Sequence, residues 1–102
     1  MSLPVRATPE AEAQIREINR WWRENRPGSP NLFADELADS FELVSGAPFA
    51  GRPYRNAVLM GTRRFLLTET GFHVYYLPRG DQVVVLAVWH ARRGVGPHLS
   101  KL

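Results

Sequence analysis

The apolar positions of this chain follow two periods, and the change from one to the other divides it. Ala11, Ile15, Ile18 and Trp22 recur three or four apart, the spacing of one helix face. Thr8 stands just before that run with Pro9 behind it, and Glu10 and Glu12 occupy the first turn, where carboxylates offset the positive end of the helix dipole. Pro27-Gly28 breaks the pattern, so the helix ends near Asn25. A second stripe, Phe33, Leu37, Phe41 and Val44, predicts a helix capped by Ser29, with Pro30 at its first position and Gly46 as its C-cap. Only a few residues join the two, which makes them an antiparallel hairpin.

Past residue 61 the period drops to two. Residues 62–68, 72–77 and 82–90 read as strands, joined by the turn words Glu69-Thr70-Gly71 and Pro78-Arg79-Gly80-Asp81. Connections this short demand antiparallel neighbours. Residues 3–7 add a short first strand, where Pro4 suits an edge. Residues 47–61 hold Pro48, Gly51, Pro53 and Gly61 and read as a loop. The expected fold is α+β in the order β-α-α-β-β-β: a helical hairpin packed on a small curved, mostly antiparallel four-stranded sheet. At 102 residues the simplest organisation is one domain spanning 1–102, with residues 95–102 as a tail.

Alternation sorts the strand residues by face. Phe72, Val74 and Tyr76 look toward the helices; His73, Tyr75 and Leu77 look toward an open side. In the last strand Val84, Leu86, Val88 and His90 share one face, and Val83, Val85, Ala87 and Trp89 the other. Both faces are apolar, which predicts a central strand. It runs into Trp89-His90-Ala91-Arg92-Arg93-Gly94, so a buried element delivers an indole, an imidazole and two guanidinium groups to the rim of the fold.

Composition narrows what that rim can do. The chain has no cysteine, which excludes a disulfide scaffold, a thiolate nucleophile and a cysteine-ligated metal, and fits a reducing cytoplasm. The N-terminus has no apolar signal segment, and the longest apolar run, residues 83–89, is far short of the roughly 20 residues that span a bilayer. A cytoplasmic protein without a membrane contact is the expectation. Residues 1–51 carry five arginines against eight carboxylates, whereas residues 52–102 carry eight cations against two carboxylates. Arginine supplies all but one of the cations, and its planar fork suits carboxylate or phosphate. His73, His90 and His98 lack metal-ligand spacing, so no metal is expected. No phosphate-cradling glycine loop or nucleophile elbow is present, and no cofactor is expected.

Four words in this order carry a resemblance: Thr8-Pro9-Glu10-Ala11 opening the first helix, residues 48–53 (PFAGRP) after the second, residues 71–76 (GFHVYY) on the hairpin, and residues 83–93 with their WHARR ending. Together they resemble the RelE/ParE toxin superfamily of toxin–antitoxin modules, over nearly the whole chain. The GRP loop and the terminal histidine-and-arginine strand are more similar to the ParE branch. That branch inhibits DNA gyrase, whereas RelE-like members cleave mRNA on the ribosome with basic groups on the open sheet face. Against the nuclease pattern, Arg64 and Arg93 match basic positions. Leu66 stands where a lysine would be, His73 where an arginine would be, and Leu99 near the place of a tyrosine. Each lost donor to a developing phosphorane costs on the order of 3 kcal/mol of transition-state stabilisation.

The resemblance therefore implies a toxin that inhibits gyrase and is neutralised by a ParD-like antitoxin in a hetero-oligomer, with direct nucleic-acid binding possible but not required. The target contact is expected at His90, Arg92, Arg93 and Arg64, and the antitoxin across the helical hairpin at Ile18, Trp21, Trp22, Phe33 and Leu37. The alternative is a RelE-like mRNA endoribonuclease using Arg64, His73 and Arg93.

Overall fold

The computed structural model describes residues 2–92. Its elements are β1 (Val5–Ala7), α1 (Pro9–Asn25), α2 (Leu32–Gly46), β2 (Arg52–Pro53), β3 (Arg63–Leu67), β4 (Phe72–Arg79) and β5 (Gln82–His90). The helical hairpin packs on one face of a sheet with strand order β1-β5-β4-β3-β2. The sheet has five strands rather than the expected four. β1 lies parallel to β5, and all other neighbours are antiparallel.

α1 begins where the sequence places it. Thr8 is extended, and its hydroxyl accepts from the Ala11 N–H at 3.1 Å, satisfying one of the first-turn donors that no helical carbonyl can reach. The start of α2 differs from expectation. Ser29 and Pro30 form a turn in which the Ser29 carbonyl accepts from both Leu32 N–H (3.2 Å) and the Trp22 indole N–H (2.9 Å). The helix thus starts three residues after Ser29, with Asn31 at the cap position. Asn31 makes no side-chain cap bond; its amide oxygen accepts from Arg23 instead, at 2.7 Å. Gly46 is the last helical residue and does not take the left-handed cap conformation; Ala47 closes the helix by donating to the Leu43 carbonyl.

The extra strand comes from the segment that reads as a loop. β2 pairs with β3 through Arg52↔Arg64 and Pro53↔Arg63. Pro53 has no N–H to give a ladder, which an edge strand tolerates. Tyr76 holds the preceding residue: its hydroxyl accepts from the Gly51 N–H at 2.7 Å, and a Cβ on Gly51 would stand 2.6 Å from that hydroxyl. Glycine is required here for close approach.

Phe33, Val44, Leu67, Val74, Tyr76, Val83, Val85 and Val88 form the core between sheet and helices. A second, smaller cluster lies on the other face: Tyr75, Leu77, Val84, Leu86 and Ala87, covered by Tyr54, Ala57, Leu59 and Trp89. The expected simple alternation of β5 fails at one point. Tyr75 pairs with Ala87 but Tyr76 with Val85, so Leu86 is an extra residue in a β-bulge. The bulge shifts the phase. Val83, Val85 and Val88 share the helix face, and Val84, Leu86 and Ala87 share the other.

Candidate functional site

The bulge decides where the basic rim points. His90 lies on the helix side, edge-on to Phe72 with ring centroids 5.1 Å apart. Its Nδ1 accepts from the Arg92 N–H at 3.1 Å, so a neutral ring carries its proton on Nε2. Trp89, one residue earlier, packs on the opposite face. β1 pairs with β5 only as far as Val85, and beyond that point α1 takes over the strand edge: the Gln14 amide oxygen accepts from the Val88 N–H at 2.9 Å.

A groove of about 410 Å³ runs between α1 and this end of β5, lined by Gln14, Glu17, Ile18, Phe72, Val88 and His90. It continues past Trp21 into a second cleft of about 400 Å³ with Trp22, Arg26, Thr70, His90 and Arg92 on its walls. The Arg26 guanidinium stands over Trp21 and Trp22, 5.3 and 5.8 Å from their ring centroids. On its other flank α1 meets α2 across a smaller apolar cleft of about 270 Å³, lined by Ile15, Asn19, Phe33, Leu37 and Phe41. The Asn19 amide oxygen is buried there and lacks a hydrogen-bond partner among the described residues.

The hairpin residues expected to anchor an antitoxin divide on burial. Phe33 is 0% exposed, and Leu37 and Trp22 are below a tenth; all three belong to the core. They still border the clefts, Phe33 and Leu37 the one between α1 and α2 and Trp22 the one beside Arg26. Trp21 is 46% exposed and Ile18 half-buried, so these two remain on the surface beside the groove.

The residues expected at one target contact also divide. His90 and Arg92 sit in the groove, on the helix side. Arg64 stands on the other face of the sheet, beside Tyr75 and paired across strands with Arg52. They do not form one patch. Arg93 and Leu99 lie outside the described residues.

On that other face Arg64 is gathered with two tyrosines and His73. Its guanidinium is 5.3 Å from the Tyr54 ring centroid and close enough to the Tyr75 hydroxyl to act on its charge. Tyr54 and Tyr75 meet edge to face at 4.9 Å, and His73 and Tyr75 at 5.9 Å. Burial pushes the Tyr75 hydroxyl above its ordinary pKa against the pull of Arg64, so it stays a protonated phenol. Partial burial lowers the His73 pKa, and the Arg64 charge lowers it further. Leu66 fills the position across from His73 on β3. The expected openness is reduced: Tyr75 is only 2% exposed because Tyr54 and its loop cover it. Tyr54 carries no signal in the sequence, since it lies in the loop between the second helical stripe and the hairpin strands, with no periodicity around it.

Comparisons with known proteins agree with this architecture. The family model for the ParE toxin of the type II toxin–antitoxin system parDE matches residues 5–95. No curated protein matches. Among solved structures, a chain of the chromosomal ParDE toxin–antitoxin system of P. aeruginosa is similar with a TM-score of 0.73 and 16% identity, over 89% of this chain and 98% of that one. A chain of the RelBE2 toxin–antitoxin complex of Mycobacterium tuberculosis is similar with a TM-score of 0.64 and 22% identity, over 88% and 99%. Identities this low speak for the fold, and the family model spans nearly all of the sequence: the chain belongs to the ParE toxin family of type II toxin–antitoxin systems.

Proposed function

We propose that the protein is a cytoplasmic toxin that inhibits DNA gyrase and that a ParD-like antitoxin neutralises it in a hetero-oligomer. The observation that carries the antitoxin side is the pair of apolar clefts flanking α1. Ile18 and Trp21 stand half-open there, and Arg26 and Arg92 close one end. A disordered segment that folds along α1 gains apolar burial from Ile18 and Trp21 and ion pairs from the arginines. His90 and Arg92 then belong to the antitoxin seat.

Gyrase supercoiling tests the target. Purified protein is expected to block supercoiling without any added cofactor, to leave translated mRNA intact, and to lose its effect when the antitoxin is added in equal amount. Normal supercoiling together with cleaved mRNA would overturn the reading.

One observation favours a second reading, the endoribonuclease. His73 is held toward its neutral form, as a general base needs, and Arg64 beside it supplies one cation. Leu66 contributes no charge where a second cation is needed, which makes this the weaker reading. Loss of mRNA cleavage in His73→Ala would support it.

A further inference from the structure

Between Glu42 and Glu69 the chain has no acidic residue, yet it carries Arg52, Arg55, Arg63 and Arg64. Most of this stretch is the loop of residues 47–62 at the β2–β3 edge. The loop is a built structure. Tyr54 N–H donates to the Thr62 carbonyl at 2.8 Å, the Thr62 hydroxyl to the Leu59 carbonyl at 2.6 Å, and Arg63 to the Gly51 carbonyl at 2.7 Å. Tyr54, Ala57 and Leu59 turn inward and pack on the sheet. Their neighbours turn outward: Met60 is 93% exposed, Phe49 71% and Val58 69%. Arg63 stands over the Phe49 ring at 4.8 Å. Phe49, Met60, Arg63 and Pro78 border a cleft of about 490 Å³.

Exposed apolar side chains held outward by a fixed backbone and ringed by charge mark an interaction surface. We propose that this loop is the surface by which the toxin grips its target, and that it fits an acidic protein face whose apolar side chain enters the cleft. The proposal rests on the toxin reading above and places the contact on residues that reading leaves unused. Charge complementarity selects the partner: four arginines without an acidic neighbour in sequence suit clustered carboxylates. A second copy of this chain meeting it loop to loop would set those arginines against their own kind. Single-stranded nucleic acid would want a row of open aromatic faces, but Tyr54 is packed edge to face with Tyr75, which leaves Phe49, with Arg63 over one of its faces, as the single exposed ring of the loop. The loop runs from the β2 edge over the face of the sheet opposite the helices, whereas the α1 groove opens on the helix side of β5, so the two surfaces lie on opposite faces of the sheet.

The test compares the wild type with Phe49→Ser/Met60→Ser and Arg52→Glu/Arg55→Glu. All substituted side chains are exposed, and binding of the antitoxin reports that each variant is folded. Both variants are expected to need at least tenfold more protein for half-inhibition of purified gyrase while binding the antitoxin as the wild type does. If they inhibit equally well, the loop proposal is overturned and the gyrase reading stands. If wild-type protein does not inhibit gyrase, the gyrase reading fails, and growth arrest on expression decides the loop: arrest lost in both variants supports it, arrest kept overturns it. A wild type that arrests no growth and inhibits no gyrase overturns both. Wild-type binding to phosphatidylglycerol vesicles or to a single-stranded oligonucleotide, lost in these variants while gyrase inhibition is unchanged, would assign the loop to that ligand and overturn the protein partner.

Discussion

The two rims of the sheet are made in different ways. At the β5 rim, regular elements build the surface: α1 lies along the strand, Gln14 ties the two together, and the groove between them is a by-product of helix-on-sheet packing. At the β2 rim, an irregular loop builds it, held by single hydrogen bonds to Tyr76, Thr62 and Arg63. The first rim draws its shape from the main core and the second from the small cluster around Tyr75. A protein this size has one substantial core, so a second surface must be stapled rather than packed. The difference suggests that each rim can be damaged without the other, and the expected effects can be ranked.

The largest effect falls on both rims. Phe33 is wholly buried and meets Phe72 edge to face at 5.4 Å, beneath the α1 groove. Phe33→Ala is expected to cost about 3–5 kcal/mol, read as a lowered denaturant midpoint. At that cost a chain of this size loses much of its stability, and both surfaces should fail together.

Gly51→Ala should separate them. The new Cβ would meet the Tyr76 hydroxyl at 2.6 Å and the Arg64 carbonyl at 2.9 Å, and the carbonyl is backbone and cannot swing aside. Relief requires the loop to move away from the sheet, at about 1–3 kcal/mol. Target inhibition is expected to weaken while the antitoxin still binds with unchanged affinity; equal loss of both would mean that the rims are one mechanical unit.

The smallest effect is one of pH. His73 titrates below the ordinary imidazole value of about 6.5 because folding partly buries it beside Arg64. The unfolded chain therefore binds more protons in the window just below that value. Stability from this source is present above pH ~6.5 and is lost as pH falls through the folded value. His73→Gln should flatten that slope in urea midpoints measured from pH 7.5 to 5. An unchanged slope would show that other groups carry it.

How much of this the sequence makes legible follows the same division. Helical spacing from Ala11 to Trp22 and the Thr8 cap place α1 to the residue, because a helix boundary is a local hydrogen-bond problem. The hairpin strands are equally plain, although β4 runs on to Arg79 and leaves Gly80-Asp81 as a two-residue turn. With a positive φ, Gly80 suits its first position. The bulge at Leu86 is invisible, since either phase of an all-apolar strand reads alike, and it reverses the face expected for His90 relative to Leu86. β2 and the covering role of Tyr54 are also illegible. They depend on Gly51 meeting Tyr76, which lies 25 residues away. For the hairpin anchors, spacing marks a helix's apolar stripe without saying that Phe33 and Leu37 are spent on the core while Trp21 is left outside.

The central claim is that two separate rims serve two partners, and antitoxin affinity tests it most directly. Isothermal titration of the cognate antitoxin would compare the wild type with Ile18→Ser/Trp21→Ser on the groove and Phe49→Ser/Met60→Ser on the loop. At least a tenfold loss is expected for the groove variant and less than a twofold change for the loop variant. The account is contradicted if the loop variant loses as much affinity as the groove variant, or if the groove variant binds like the wild type.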